Sequence, residues 1–394
     1  MEATEEAGGG GGGGCPFAHG GAPGTAAGKA KHEPVYYADY LELNKLLNAQ
    51  HMKSEDHGKP AHDEMLFIIV HQAYELWFKQ ILHELDLVMK LFAQTPIPEK
   101  SMGTINHHTE RIVKILNLLV SQVQIIETMS PLDFLDFRDY LMPASGFQSF
   151  QFRLIENKLG MVAEQRMKYQ SAAYHTRLEP DHQKIVQESE NSPTLFNIVE
   201  AWLERIPFLS DEETGFKFWD AYKKAAEQMF DTEKEIIIDN SNMAGGEKLE
   251  EHLDEWRKNK EAFLALLDDE KHEEMRRKGL RRLSFKATQA ALLITLYRDE
   301  PILRAPFELL TRLVDIDNAM QHWRHRHSMM VHRMIGTKMG TGGSSGYHYL
   351  KATLQRGRVF VDISNLSTYL LPRRALPQLP AKMLSKMSFS LEQK

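Results

Sequence analysis

With 394 residues, 42% of them hydrophobic and 26% charged, the chain is long enough to bury a large core and has the make-up of an ordinary soluble globular protein. Its formal net charge of −6 lacks the basic footprint that neutralising a phosphate backbone requires, so no nucleic acid is expected as a partner. The one cysteine, Cys15, excludes an intrachain disulfide and fits a reducing, cytosolic setting, while the absence of any apolar run of roughly eighteen residues and an acidic, glycine-rich start argue against a membrane span or signal peptide.

Residues 1–32, with glycine from Gly8 to Gly14, bury too little apolar surface to offset chain entropy and are expected to form a tail. The Cys15-Pro16 pair within it is read as incidental. Residues 33–378 are expected to form one helical domain with residues 379–394 as a C-terminal tail. From Glu64 to Leu91 apolar residues recur at three- and four-residue spacing, which predicts one buried helix. A second is predicted from about Asn106 to Met129, ending at Ser130-Pro131 because proline inside a helix loses a hydrogen bond and clashes with the preceding turn. Further helices are predicted over Leu132–Leu141, Phe150–Gln165, Pro193–Ile206, Phe216–Ile238 and Ser284–Tyr297. The charge-rich stretch from Glu247 to Lys278 reads as an exposed helical arm, part of a longer arm at about 206–282. Pro301 and Pro306 punctuate the approach to a last long helix from Phe307 to about Met334. No alternating strand with a hairpin turn stands out, and the class is all-α.

Four places offer chemistry. In the first helix, Phe67, His71, Tyr74 and Phe78 share one face, so an imidazole stands in an aromatic stripe; it is either a hydrogen-bonded core histidine, with Gln72 or Glu75 nearby, or a functional group. Arg138, among Phe134, Leu135 and Leu141, needs a partner for its planar fork: Asp136 or Asp139 within the chain, or a substrate carboxylate. The third place is the run from Met320 to His332, where His322, His325, His327 and His332 cannot all share a helical face. A zinc site there lacks a His-Glu-x-x-His sequence and a cysteine pair. A single axial histidine to haem needs only a neutral imidazole and an apolar pocket, which Trp323, Met329, Met330 and Val331 are suited to line; without a Cys-x-x-Cys-His sequence, such haem is held non-covalently. The turn from Gly340 to Gly346 lacks the strand and lysine of a phosphate loop. It offers the hydroxyls of Thr341, Ser344 and Ser345 to an ammonium or carboxylate, or simply ends a helix.

These segments closely resemble the tryptophan 2,3-dioxygenase family. The matching blocks are Tyr36-Tyr37-Ala38-Asp39-Tyr40-Leu41, Leu47-Asn48-Ala49-Gln50, Phe67 to Gln80, Asp136 to Leu141 through Pro143 to Ser149, and Trp323 to Leu350, with weaker similarity over most of residues 33–375. The resemblance implies a multi-helix haem-binding bundle related to the indoleamine dioxygenase-type fold. It implies a haem b enzyme that inserts both atoms of O2 across the indole C2–C3 bond of L-tryptophan, giving N-formyl-L-kynurenine. By the same resemblance His327 is the proximal iron ligand, with Trp323 beside it, and His71 is the distal histidine that bonds the indole N–H. Arg138 pairs with the substrate carboxylate and Thr341 holds the ammonium or carboxylate end. Phe67, Phe134 and Leu141 wall the indole slot, and Ala144, Ser145 and Gly146 lie at the haem edge. Tyr37 and Tyr40 come from a neighbouring subunit in a homotetramer. His325 and Arg326 depart from the pattern of the animal members, which makes His325 a competing ligand by composition; the spacing from Trp323 to Gly340-Thr341-Gly342-Gly343 selects His327. A haem sensor without turnover and a helical scaffold whose histidines are only core remain the alternatives.

Overall fold

Apolar spacing of three and four residues along almost every segment gives helices along almost the whole chain. The computed structural model describes residues 34–388, apart from 95–96, 163–164, 167–173, 244–247, 266, 342–345 and 355–356. The glycine-rich tail, Cys15-Pro16 and the loop residues Ser344 and Ser345 lie outside the described residues. In chain order the helices are α1 (Tyr37–Tyr40), α2 (Leu43–Leu47), α3 (Lys53–Asp56), α4 (Asp63–Phe92), α5 (Glu99–Ile126), α6 (Pro131–Arg138), α7 (Phe150–Leu159), α8 (Pro180–Glu190) and α9 (Leu195–Leu203). They continue with α10 (Phe218–Met243), α11 (Leu249–Ala265), α12 (Asp269–Arg277), α13 (Phe285–Leu296), α14 (Pro301–Ile335), α15 (Gly346–Leu354), α16 (Val361–Asn365) and α17 (Ala381–Met387).

Residues up to Ala49 form one unit and Gln50 onward another. In the first, α1 and α2 bury no residue, and Tyr37 and Tyr40 are 75% and 76% exposed. In the second, α5 packs along both α4 and α14, and Ile81, Leu85, Ile105, Leu119, Leu309 and Leu313 are sealed in a common core. A smaller cluster of Met129, Phe137 and Met334 joins the end of α5 to α6 and α14.

Local chemistry sets several helix ends. Ser130 caps α6 in a capping box with Asp133, and Pro131 takes the first helical position, where its missing N–H costs nothing. The spacing predicts that the helix beginning at Phe150 runs to Gln165, but α7 stops at Leu159. Gly160 caps it at φ +115, and a Cβ there would come within 2.7 Å of the Cβ of Phe196. The last long helix starts six residues before Phe307, at Pro301, and carries Pro306 inside it. Packing on α5 and α13 outweighs the one hydrogen bond that Pro306 removes near the helix start.

Three further expectations need correction. A two-residue antiparallel hairpin pairs Ser210–Asp211 with Phe216–Lys217, closed by Gly215 at φ +67; pairs this short are invisible to alternation. Residues 379–394, expected as a tail, include α17, whose Met383 and Met387 are buried in the main core. The arm is also less exposed than its charge suggests. Phe218, Tyr222, Phe230, Phe263 and Leu267 join the core, and Trp256 Nε1 donates to the Phe230 carbonyl across α10 and α11. Among the described residues no single helix is long and apolar enough to cross a membrane.

Candidate active site

Helix α4 presents Phe67, His71, Tyr74 and Phe78 to a cavity of about 280 Å³, as helical periodicity requires of residues three and four apart. His71 Nδ1 lies 2.7 Å from the Phe67 carbonyl oxygen. A carbonyl only accepts, so Nδ1 carries the proton and Nε2 keeps a free lone pair. Loss of hydration among the residues that line the cavity lowers the pKa of His71. The two side chains weighed as its partners are engaged elsewhere: Gln72 accepts from Gln50 at 2.7 Å, and Glu75 accepts from Gln151 at 2.9 Å.

Helix α6 supplies the opposite wall. Its cap at Ser130 sets the helix so that Phe134 and Arg138, four apart, both reach the cavity while Phe137 is buried behind them. Arg138 donates to the carbonyl of Met339, in the segment after α14, and forms no ion pair with Asp136, Asp139 or any other carboxylate among the described residues. The partner found for Arg138 within the chain is therefore a backbone oxygen rather than Asp136 or Asp139, and the side chain lines the cavity. Thr341 also lines the cavity, and its hydroxyl donates to the Ala144 carbonyl at 2.7 Å. Ser145 and Gly146 line it; Ala144 contributes through that carbonyl, and Leu141 packs behind the wall with Phe67 and Phe134.

Helix α14 separates the four histidines. His322, His325 and His332 are exposed, and only His327 lines the cavity. Trp323, one turn earlier, stacks on it with ring centroids 5.0 Å apart and planes 14° apart. Burial, and then the nearby His71, lower the His327 pKa to about 4. Its Nδ1 is buried and makes no hydrogen bond among the described residues. No group of three or more metal-ligating side chains occurs among the described residues, so the histidine run is not a zinc cluster.

Comparison with known proteins decides the family. The tryptophan 2,3-dioxygenase profile matches residues 24–370. The chain belongs to the tryptophan 2,3-dioxygenase family. Its relatives named tryptophan 2,3-dioxygenase include one from Bdellovibrio bacteriovorus, 49% identical over 91% of this chain and 99% of the relative. Another, from Dictyostelium discoideum, is 47% identical over 90% and 88%, and one from Xenopus laevis is 50% identical over 89% and 86%.

Tryptophan 2,3-dioxygenases depend on haem, and the residues here fit that group. A neutral imidazole that lines an apolar wall with Trp323, Met330, Val331 and Leu350 is what an axial haem ligand needs. Met329, expected beside them, is half exposed and faces away.

One part of this dioxygenase cavity escapes sequence reasoning. Glu156 on α7 lines it as a buried carboxylate held by Arg153 and Arg166, each at 2.9 Å, and by Arg324 at 2.6 Å. Burial alone would raise its pKa, but the three guanidinium charges prevail and lower it to about 2. The signal available in sequence was Arg153 at the i−3 position, one turn before Glu156 on the same helix.

Proposed function

We propose that this chain is a haem-dependent oxidoreductase that inserts both atoms of O2 across the indole C2–C3 bond of L-tryptophan to give N-formyl-L-kynurenine, the opening step of tryptophan catabolism. Family membership carries the reaction. The observation that carries the site is the meeting of two imidazoles of lowered pKa, His71 and His327, and a guanidinium, Arg138, that pairs with no carboxylate among the described residues, around one apolar cavity.

His327 would hold haem b non-covalently, with Trp323 stacked on the ligand and Ala144, Ser145 and Gly146 along the haem edge. Bound haem supplies the activation of O2. The residues of the chain fix the amino acid against it. His71 Nε2 accepts the indole N–H, because Nδ1 is already committed to the Phe67 carbonyl. Arg138 takes the substrate carboxylate in a two-pronged bond, exchanging its contact with Met339, and the Thr341 hydroxyl holds the ammonium or carboxylate end. Phe67 and Phe134 wall the flat ring, with Leu141 packed behind them. Anchors at both ends of a rigid ligand hold the reacting carbons in place and exclude water.

The exposed aromatics Tyr37 and Tyr40 support a homotetramer in which the N-terminal segment completes a neighbour's pocket. A cytosolic setting fits the single cysteine. The test is to reconstitute the chain with haem, reduce it and supply tryptophan and oxygen. A Soret band and steady kynurenine-type absorbance are expected, with sedimentation as four copies. A colourless protein, or haem uptake without turnover, would overturn the catalytic reading.

A further inference from the structure

His327 is fixed by little of its own. Its Nδ1 has no hydrogen-bond partner among the described residues, whereas a histidine ligand is usually oriented by a bond from its second nitrogen. Trp323 stacks on the ring but comes from the same helix, so it cannot set which way that helix is turned.

The neighbours of His327 on α14 can. At 3.6 residues per turn, Arg324 lies about 60° to one side of His327 around the helix and Arg326 about 100° to the other. Each is tied to a different helix. Arg324 reaches Glu156 of α7 at 2.6 Å and the Gly357 carbonyl at 2.8 Å, with both side chains of the ion pair almost completely buried. Arg326 reaches Glu127, the C-cap residue of α5, at 2.9 Å in a half-buried pair. A rotation of α14 that relaxed one contact would stretch the other.

We propose that the Arg324–Glu156 and Arg326–Glu127 pairs form a two-sided clamp that fixes the rotation of α14 about its axis and so aims the His327 imidazole into the cavity. Both arginines are positioning residues, and the inference rests on the haem-ligand reading of His327. The clamp replaces, at the level of the helix, the bond that the imidazole itself lacks.

Arg326→Gln removes one side. Arg324→Lys weakens the other, since an ammonium cannot hold Glu156 and the Gly357 carbonyl in one planar fork. Transfer of haem from the holoprotein to excess apomyoglobin should quicken about tenfold in each, the usual order for loss of a ligand-orienting contact. In the haem-free full chain, exchange of the His327 ring C2 hydrogen, followed by mass spectrometry, should rise relative to the exposed His325 in the same sample. The charge-swapped pair Arg326→Glu with Glu127→Arg should return both readings toward those of the unaltered chain. Arg304→Gln, which breaks an exposed pair with Glu308 far along the same helix, should change neither. Unchanged transfer and exchange in both single variants, or a swap that restores nothing, would overturn the clamp. If the unaltered chain takes up no haem, the functional reading fails, and exchange at His327 then decides the clamp by itself.

Discussion

Arg138 and Met339, 201 residues apart in sequence, are joined by a hydrogen bond from the guanidinium to the carbonyl oxygen. The bond sets the cation proposed to bind substrate against the segment that follows α14, and it leaves most of the five guanidinium donors for a ligand. Arg138→Ala should therefore raise the tryptophan KM sharply, by on the order of 2 kcal/mol or more in binding, with haem content unchanged. Steady-state kinetics beside a haem assay checks this; an unaltered KM would remove Arg138 from the substrate site.

Of the adjacent histidines, only His327 faces the cavity, while His325 faces solvent. His327→Ala should purify without haem and His325→Ala with a full complement, read from the Soret absorbance per chain. Equal loss in both would leave the ligand assignment without support.

Acid should weaken the haem-free chain in two windows. The folded His327 pKa, about 4, lies below its ordinary 6.5, so the unfolded chain takes up that proton first. The stability tied to the neutral ring is complete above 6.5 and is lost as pH falls to about 4. For Glu156, lowered from 4.5 to about 2, the corresponding loss runs from 4.5 down to about 2. Denaturant unfolding at stepped pH measures both. His327→Gln should flatten the upper window alone, and an undiminished slope between 6.5 and 4 would refute the attribution.

Phe137 has no exposed surface and meets Phe67 and Phe134 at centroid distances of 5.6 and 5.4 Å, backing two side chains of the cavity wall proposed to hold the indole. Phe137→Ala should cost about 3–5 kcal/mol and loosen tryptophan binding as well. The denaturant midpoint and KM, measured together, test it. A loss below about 1 kcal/mol with KM unchanged would show that the wall needs no such backing.

Where function was legible in the sequence, the information was local. The face shared by Phe67, His71, Tyr74 and Phe78 follows from helical spacing, and the Ser130 cap with Pro131 announces α6 without reference to anything distant. Features that depend on remote neighbours were not legible. The end of α7 at Gly160 is dictated by the approach of Phe196, and α17 forms because Met383 and Met387 find a core to enter. Glu156 stayed hidden because two of its three arginines, Arg166 and Arg324, lie 10 and 168 residues away.

By itself the sequence determined an all-helical chain, the family blocks it carries and the short list of groups able to hold iron, indole and carboxylate. Composition, periodicity and spacing act over a few turns, and that range suffices to put side chains on faces. Only the tertiary structure decided which face of α14 turns inward, and it gives the physical reason that His327, which the family spacing selects, meets the cavity while His325 does not. Packing on α5 and the ion pairs to α5 and α7 fix that rotation, and no local rule contains them.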